Sequence, residues 1–327
     1  MFGTNTRSVS KITLGISACL LGEKVRYDGG HKHDRFLTHT LGKYVNYIPV
    51  CPEVECGFPI PREPLHLAGS PKSPRLITVR THRDHTDQML RWARHKTAAL
   101  KEEGLCGFIF KANSPSCGME RVEVWNEKGK SAKKGVGIFA RVFVAHFPLM
   151  PVEDENRLHD SALRENFIER IFTLKRWRET QKPKQTRAKL VTFHAQHEIL
   201  LRSHSPKHLK AMETLVTHAE DMPLGKLYNQ YQEILLQALR HKATRRKHYT
   251  ALRYILRCLR KQLAAGEEKE LLEVIENYRK GSVSLVVAIT FINHYVRKYD
   301  DVYLKKQYYL SPDPLEFQLR NHFAEEA

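Results

Sequence analysis

Residues 111–118 of the chain have the sequence KANSPSCG and directly follow the apolar run of residues 105–110 (LCGFIF). An apolar run that stops at a polar turn predicts a buried strand, so Cys117 stands in the loop after a strand end. Cys19 and Cys51 also follow strand-like runs, KITLGISA and YVNYIPV. We therefore expect three strand-end cysteines to meet in one site.

Alternating strand-like and helix-like segments surround this stretch and predict an α/β domain with a mostly parallel sheet and flanking helices. Ligands of such folds bind at the carboxyl ends of the strands, where all three cysteines are expected. From about residue 185 the pattern consists of amphipathic helices and predicts an all-α domain. We expect an N-terminal domain at 1–155, a helical connector and basic linker at 156–186, and the all-α domain at 187–327.

A run of prolines interrupts the first domain. They stand at positions 49, 52, 59, 61, 64, 71 and 74. Proline removes a backbone donor and fixes φ, so the segment is predicted to be a rigid loop at the active site, without regular helix.

Charge gives the first indication of a partner. The chain of 327 residues has a formal net charge of +18, and excess Lys and Arg attract polyanions. The chain has no apolar stretch of about 18 residues, so we expect no membrane span. Residues 1–10 are polar and do not resemble a secretory signal, so we expect a cytoplasmic protein that binds nucleic acid and no membrane.

The six cysteines contain no Cys-x-x-Cys pair, which disfavours a dithiol redox site and the common zinc modules. What remains is a three-thiolate site built from separate loops. Three thiolates on a four-iron cluster would leave one iron open to a substrate. The alternative is that the cysteines are buried small hydrophobes, and we prefer it for Cys106 and Cys258. Three roles stay open for Cys56: a fourth ligand, a fallback thiol or a packing residue.

Three polar residues beside these cysteines have two interpretations each. Glu53 is two residues from Cys51, so it either activates water or donates a proton at the site, or is a surface charge of the loop. Ser114 and Ser116 either cap the backbone of their loop or orient a base and its attacking water.

The second domain carries a basic segment with interleaved tyrosines. We expect its cations to bind an RNA phosphate backbone, although a solvated helix face is the alternative for each single residue. The residues named for this role are Arg245, Arg246, Lys247, Arg253 and Arg257.

Five segments of the first domain together resemble the thiouracil desulfidase (TudS) family. They are SACLLG (17–22), VRYDG (25–29), CPEV (51–54), PR (61–62) and SPSCG (114–118). The helical half, with TFHAQHE (192–198) and SHSP (203–206), resembles the helical domain fused to TudS in RudS proteins.

The resemblance implies a [4Fe-4S] cluster held by Cys19, Cys51 and Cys117, whose fourth iron takes the sulfur of a 4-thiouracil base. Water would replace that sulfur without net redox change, giving uracil or uridine and hydrosulfide. It also implies tRNA containing 4-thiouridine as the partner of the fusion. Glu53 carries over as the acid/base residue and Ser114 as the polar partner in the last loop. Further substrate contacts are expected from Ser17, Asp28, Lys111 and Ser116.

One departure from the family concerns Cys56-Gly57, where members usually have Gly-Gly. Two other functions stay open. A tRNA thiolation enzyme would need ATP, but the chain has neither a Ser-Gly-Gly-x-Asp-Ser loop nor a P-loop, so no ATP is expected. A non-catalytic iron-sulfur RNA-binding protein or sensor would need the cluster but not Glu53.

Overall fold

The computed structural model describes residues 11–126 and 128–320. Two ranges at the ends lie outside this part. They are residues 1–10, which the prediction about a secretory signal concerns, and residues 321–327 of the predicted all-α domain. The described chain divides into two units, residues 11–172 with 319–320 and residues 173–318. No helix in the described ranges is long and apolar enough to cross a membrane.

The strands all belong to the first unit. In chain order they are β1 (Ile12–Ser17), β2 (Val45–Val50), β3 (Leu65–Ser70), β4 (Ser73–Thr78), β5 (Gly107–Phe110), β6 (Val122–Trp125), β7 (Ser131–Gly135) and β8 (Val152–Asp154). The helices are α1 (Pro52–Glu55), α2 (Thr86–Glu102), α3 (Ile138–His146), α4 (Glu155–Leu158), α5 (Ser161–Thr180), α6 (Arg187–His204), α7 (Pro206–Thr217), α8 (Leu224–Arg240), α9 (Arg245–Leu259), α10 (Ala265–Lys280), α11 (Leu285–Lys298) and α12 (Pro314–Arg320).

The first sheet has the order β2-β1-β5-β8, and all its neighbouring strands are parallel. Its core is aromatic, with Phe108, Phe110, Phe139 and Phe143 packed against one another. Gly15 has no side chain for a physical reason: a Cβ there would lie 2.2 Å from the Phe108 ring on the adjacent strand. The order places β1 between β2 and β5, so the loops after these three strands are neighbours.

The second sheet, of order β4-β3-β6-β7, was not expected. It consists of two antiparallel hairpins whose inner strands β3 and β6 are parallel. The prediction of an irregular loop across the prolines is therefore wrong for residues 65–74, and Pro52 begins the short helix α1. Pro71 occupies the hairpin turn, where no ladder hydrogen bond is needed, and proline is favoured at the first turn of a helix.

The second unit contains α6 to α11 and, among the described residues, no strand. The predicted fold class, an α/β domain followed by an all-α domain, is confirmed. The TFHAQHE segment lies in α6, where the buried His197 ring stacks on Phe193 at 3.8 Å and on Tyr308 at 4.5 Å between ring centres. This motif therefore packs the helical core.

Candidate active site

A cavity of about 420 Å³ lies at the carboxyl ends of β1, β2 and β5. Its lining includes the three predicted cysteine ligands, Cys19, Cys51 and Cys117, together with Glu53 and Ser114. The parallel order of the sheet explains why residues so distant in sequence meet there, because neighbouring parallel strands deliver their following loops to the same edge.

Each cysteine follows its strand in a different way. Cys19 is in a 3-10 turn after β1, Cys51 is the N-cap of α1 directly after β2, and Cys117 lies within the longer loop between β5 and β6. Burial raises the pKa of the Cys19 thiol to about 11 and that of Cys117 well above its ordinary value. Burial also raises the pKa of Cys51. The sulfurs are therefore thiols in the protein alone, and metal binding would release their protons.

The donor set of the cavity, three cysteine thiols, fits an iron-sulfur cluster, because such clusters are held by Cys thiolates. Three thiols spread around one cavity can each bind a different iron of a cluster. Cys56 does not line the cavity; it ends α1 and packs beside the second sheet.

Both carboxylate oxygens of Glu53 accept hydrogen bonds. Oε1 accepts from Ser116 Oγ at 2.8 Å, and Oε2 accepts from Arg62 Nε at 2.9 Å and Nη2 at 2.5 Å. Glu53 lines the cavity with its side chain 15% exposed. A carboxylate held this way faces the space beside the three thiols in one orientation.

The SPSCG loop is fixed from two sides. The Ser114 hydroxyl accepts hydrogen bonds from the backbone N–H groups of Ser116 and Cys117, so it caps the turn as well as lining the cavity. The first N–H groups of α3 donate to the carbonyls of Pro115 and Ser116. Gly137 makes this approach possible, because a Cβ there would lie 2.6 Å from the Ser116 backbone.

The predicted substrate-contact residues separate into two groups. Ser17 and Lys111 line the cavity, and the Lys111 ammonium is paired with the buried Glu155. Ser116 and Asp28 are not among the lining residues: Ser116 is fully buried, and Asp28 is exposed and accepts from the backbone of Gly30. Their roles toward a substrate stay predictions.

No role was predicted for Arg62, although its PR motif was part of the resemblance. In the structure it lines the cavity and binds Glu53. Among the other cysteines, Cys106 is buried as expected, whereas Cys258 is only partly buried.

The predicted RNA-binding residues lie on α9 of the second unit. Arg245, Arg246, Arg253 and Arg257 are exposed. Lys247 is different, because its ammonium donates to the backbone carbonyls of His204 and Lys242 and so ties chain segments together. Four of the five cations are therefore exposed at the surface of this unit, and one of these four, Arg253, forms an ion pair with Glu276 at 3.7 Å.

Comparison with known proteins assigns the first unit. The profile of the family described as 2-thiouracil desulfurase matches residues 14–155, which include the three cavity cysteines. "Uncharacterized protein YbbK" of Bacillus subtilis is 32% identical over 108 residues, which are 32% of this chain and 71% of that protein.

The chain belongs to the 2-thiouracil desulfurase family. Beyond the desulfurase domain, residues 199–314 match a family described as a protein of unknown function, DUF1722. "Uncharacterized protein YbgA" of Escherichia coli is 27% identical over 153 residues, 46% of this chain and 90% of that protein. The solved structure of the [4Fe-4S]-dependent thiouracil desulfidase TudS is 31% identical, covers 47% of this chain and 97% of its own, and has a TM-score of 0.39.

Proposed function

We propose that this desulfurase removes sulfur from 4-thiouracil bases, with 4-thiouridine in tRNA as its substrate and uridine and hydrosulfide as its products. The observation that carries the proposal is the cavity in which three thiols from neighbouring strand ends and one held carboxylate occur together. The family match supports a thiouracil-containing substrate.

Cys19, Cys51 and Cys117 would hold a [4Fe-4S] cluster. Bound by three thiolates, such a cluster supplies an iron with no protein ligand, a Lewis acid with affinity for sulfur. Because Cys56 lies outside the cavity lining, it offers no fourth thiolate there. The reaction balances without redox chemistry: a C–S bond breaks, a C–O bond to water forms, and the sulfur leaves as hydrosulfide.

The proton transfers are assigned to Glu53. Its carboxylate accepts one proton from the attacking water and then returns it to the departing sulfur, which leaves as hydrosulfide. The second proton of the water passes to solvent as the carbonyl forms. Lys111 contributes a positive charge to the cavity, held in place by Glu155 and by the carbonyl of Ala112 at 2.9 Å. A fixed cation stabilises the negative charge that develops on the departing sulfur.

The tRNA part of the proposal rests on charge. The net charge of +18 favours a polyanionic partner, and the arginines of α9 expose guanidinium groups that can contact phosphates. Tyrosines interleave with these arginines. The Cζ atoms of Arg202 and Arg257 lie 3.9 and 5.3 Å from the centre of the Tyr254 ring.

A Glu53→Ala variant separates catalysis from cluster binding. After anaerobic reconstitution we expect wild-type iron and sulfide content but loss of 4-thiouridine turnover by about 100-fold or more. Glu123→Ala is the matched control, because Glu123 also accepts a hydrogen bond from a serine, Ser131, but is an exposed residue of β6 outside the cavity lining. Full activity of Glu53→Ala would remove this residue from the reaction and favour a different chemistry at the cavity.

A further inference from the structure

Arg62 connects its own segment, residues 59–62, to residues 25–27 beside the cavity. Its Nη2 donates to the carbonyl of Val25 at 2.9 Å, its Nη1 donates to the carbonyl of Pro59 at 3.3 Å, and its backbone N–H donates to the carbonyl of Tyr27 at 2.8 Å. The side chain is only 5% exposed. An arginine buried to this degree is held in one conformation by its contacts, since few waters compete for its donors.

Two further N–H groups of the Arg62 guanidinium are directed at Glu53. Nε and Nη2 both bind Oε2, and the ion pair measures 2.5 Å. Ser116 binds the opposite oxygen from the SPSCG loop. A free glutamate side chain samples several rotamers, whereas one with donors on both oxygens has a single favourable orientation.

The same guanidinium also relates Glu53 to the cysteine loops. The Val25 carbonyl that accepts from Arg62 lies 3.8 Å from the Cys51 sulfur. Cys51 and Glu53 are at the start of the same short helix, α1. Arg62 thus links the Glu53 carboxylate to the Val25 carbonyl, which in turn contacts Cys51, one of the three predicted cluster ligands.

We propose that Arg62 is the positioning residue of this site, orienting Glu53 toward the cavity without itself reacting. This inference rests on the proposed desulfurase function and adds a determinant of its rate. Arginine is required because a planar fork can serve a carboxylate and two carbonyls at once, whereas the compact ammonium of lysine cannot span these acceptors. Displacing a catalytic carboxylate by about 1 Å can lower the reaction rate by about 100-fold.

The first test compares Arg62→Gln and Arg62→Lys with the wild-type protein, all reconstituted anaerobically. We expect about 100-fold lower kcat for Arg62→Gln with unchanged KM and iron content, and a smaller loss for Arg62→Lys. Arg141→Gln is the control, because Arg141 donates to the carbonyls of Pro71 and Lys72 in the same unit and is not among the residues that line the cavity. Iron loss in Arg62→Gln, or wild-type kcat, would overturn the proposal.

The second test asks whether Arg62 acts through Glu53. In a Glu53→Gln background, adding Arg62→Gln should cost little further activity, since the group to be positioned is already altered. The same four proteins form a double-mutant cycle that can also be measured by melting temperature without the cluster. Arg62→Gln should lower the melting temperature less when Glu53 is already replaced. Additive effects in both measurements would contradict the proposal. Absence of turnover by the wild-type protein would instead reject the proposed function, while the melting-temperature cycle would still decide whether Arg62 holds Glu53.

Discussion

The hydroxyl of Ser116 donates a 2.8 Å hydrogen bond to Oε1 of Glu53, across 63 residues of sequence. This contact joins the loop that carries Cys117 to the helix that begins after Cys51. It gives Ser116 a partner within the protein and leaves Ser114, its neighbour in the loop, on the cavity wall.

Replacing Ser116 should therefore impair catalysis without removing the cluster. We expect Ser116→Ala to lower kcat by about 10-fold, because loss of a hydrogen bond to a charged group is worth about 1.5 kcal/mol. Iron content should not change. Ser131→Ala is the control, since Ser131 donates to Glu123 at 2.7 Å on the surface. Unaltered kcat in Ser116→Ala would show that one set of donors suffices to hold Glu53.

Only three of the six cysteines should be needed for iron binding. We expect Cys19→Ser, Cys51→Ser and Cys117→Ser each to lose most of the iron and sulfide, because a hydroxyl is a poor ligand for this soft site. Cys56→Ser and Cys258→Ser should bind as much as the wild-type protein, since neither cysteine lines the cavity. Iron loss in Cys56→Ser together with retention in one of the other three would reassign the ligands.

The buried His197 should make the stability of the helical unit decrease in acid. Burial and the Arg176 guanidinium hold the pKa of His197 well below its ordinary value. Arg176 Nε donates to Nε2 at 3.0 Å, so the Nδ1–H donates to the carbonyl of Phe193 at 2.7 Å and the ring is neutral. Below about pH 6.5 the unfolded chain binds a proton that the folded chain does not, and stability falls by at most about 1.4 kcal/mol per pH unit from this residue.

The measurement is the melting temperature between about pH 7 and pH 5. We expect His197→Gln to melt at a lower temperature than the wild-type protein at neutral pH, because it loses the stacked ring. Its decrease toward acid should be shallower, because the titrating group is gone. A variant with the wild-type slope would show that other groups cause the acid response.

The arginines of α9 predict a salt-dependent interaction. A double variant, Arg245→Gln with Arg246→Gln, should weaken tRNA binding and reduce the slope of log affinity against log salt by about one for each phosphate that is no longer neutralised. Arg91→Gln with Arg94→Gln removes two exposed arginines from α2 and is the matched control. Equal loss of affinity in both double variants would indicate that general charge, and not this helix, binds the RNA.

The sequence was sufficient for three strands of the first sheet, β1, β2 and β5, because they are short apolar runs that stop at polar turns. The fourth strand, β8, has the sequence VED and was not predicted. β5 is buried along its whole length, and this produced the strongest signal. The strand β7 has the sequence SAKKG and is exposed except at its last residue, so its composition resembles a loop. β3 lies between prolines that stand at the ends of the hairpin strands, where proline does not prevent pairing.

The three cysteines could be grouped in advance because each follows a strand, and parallel strands share an edge. The contacts of Glu53 could not. Arg62 is nine residues away and Ser116 is 63 residues away, and neither separation matches a helical or strand period. Asp28 shows the opposite case: it lies in a recognisable motif, yet its carboxylate caps a turn outside the cavity lining. Side-chain direction decides these roles, and sequence does not reveal it.

The most direct test of the proposed activity uses tRNA containing 4-thiouridine and the anaerobically reconstituted, full-length protein. The absorbance of the thiolated base should disappear as hydrosulfide is released in equal amount, without added reductant, oxidant or ATP. The Glu53→Ala variant with its cluster intact should leave that absorbance unchanged. If the wild-type protein carries its full iron content and the absorbance of the thiolated base still persists, the desulfidase assignment is wrong.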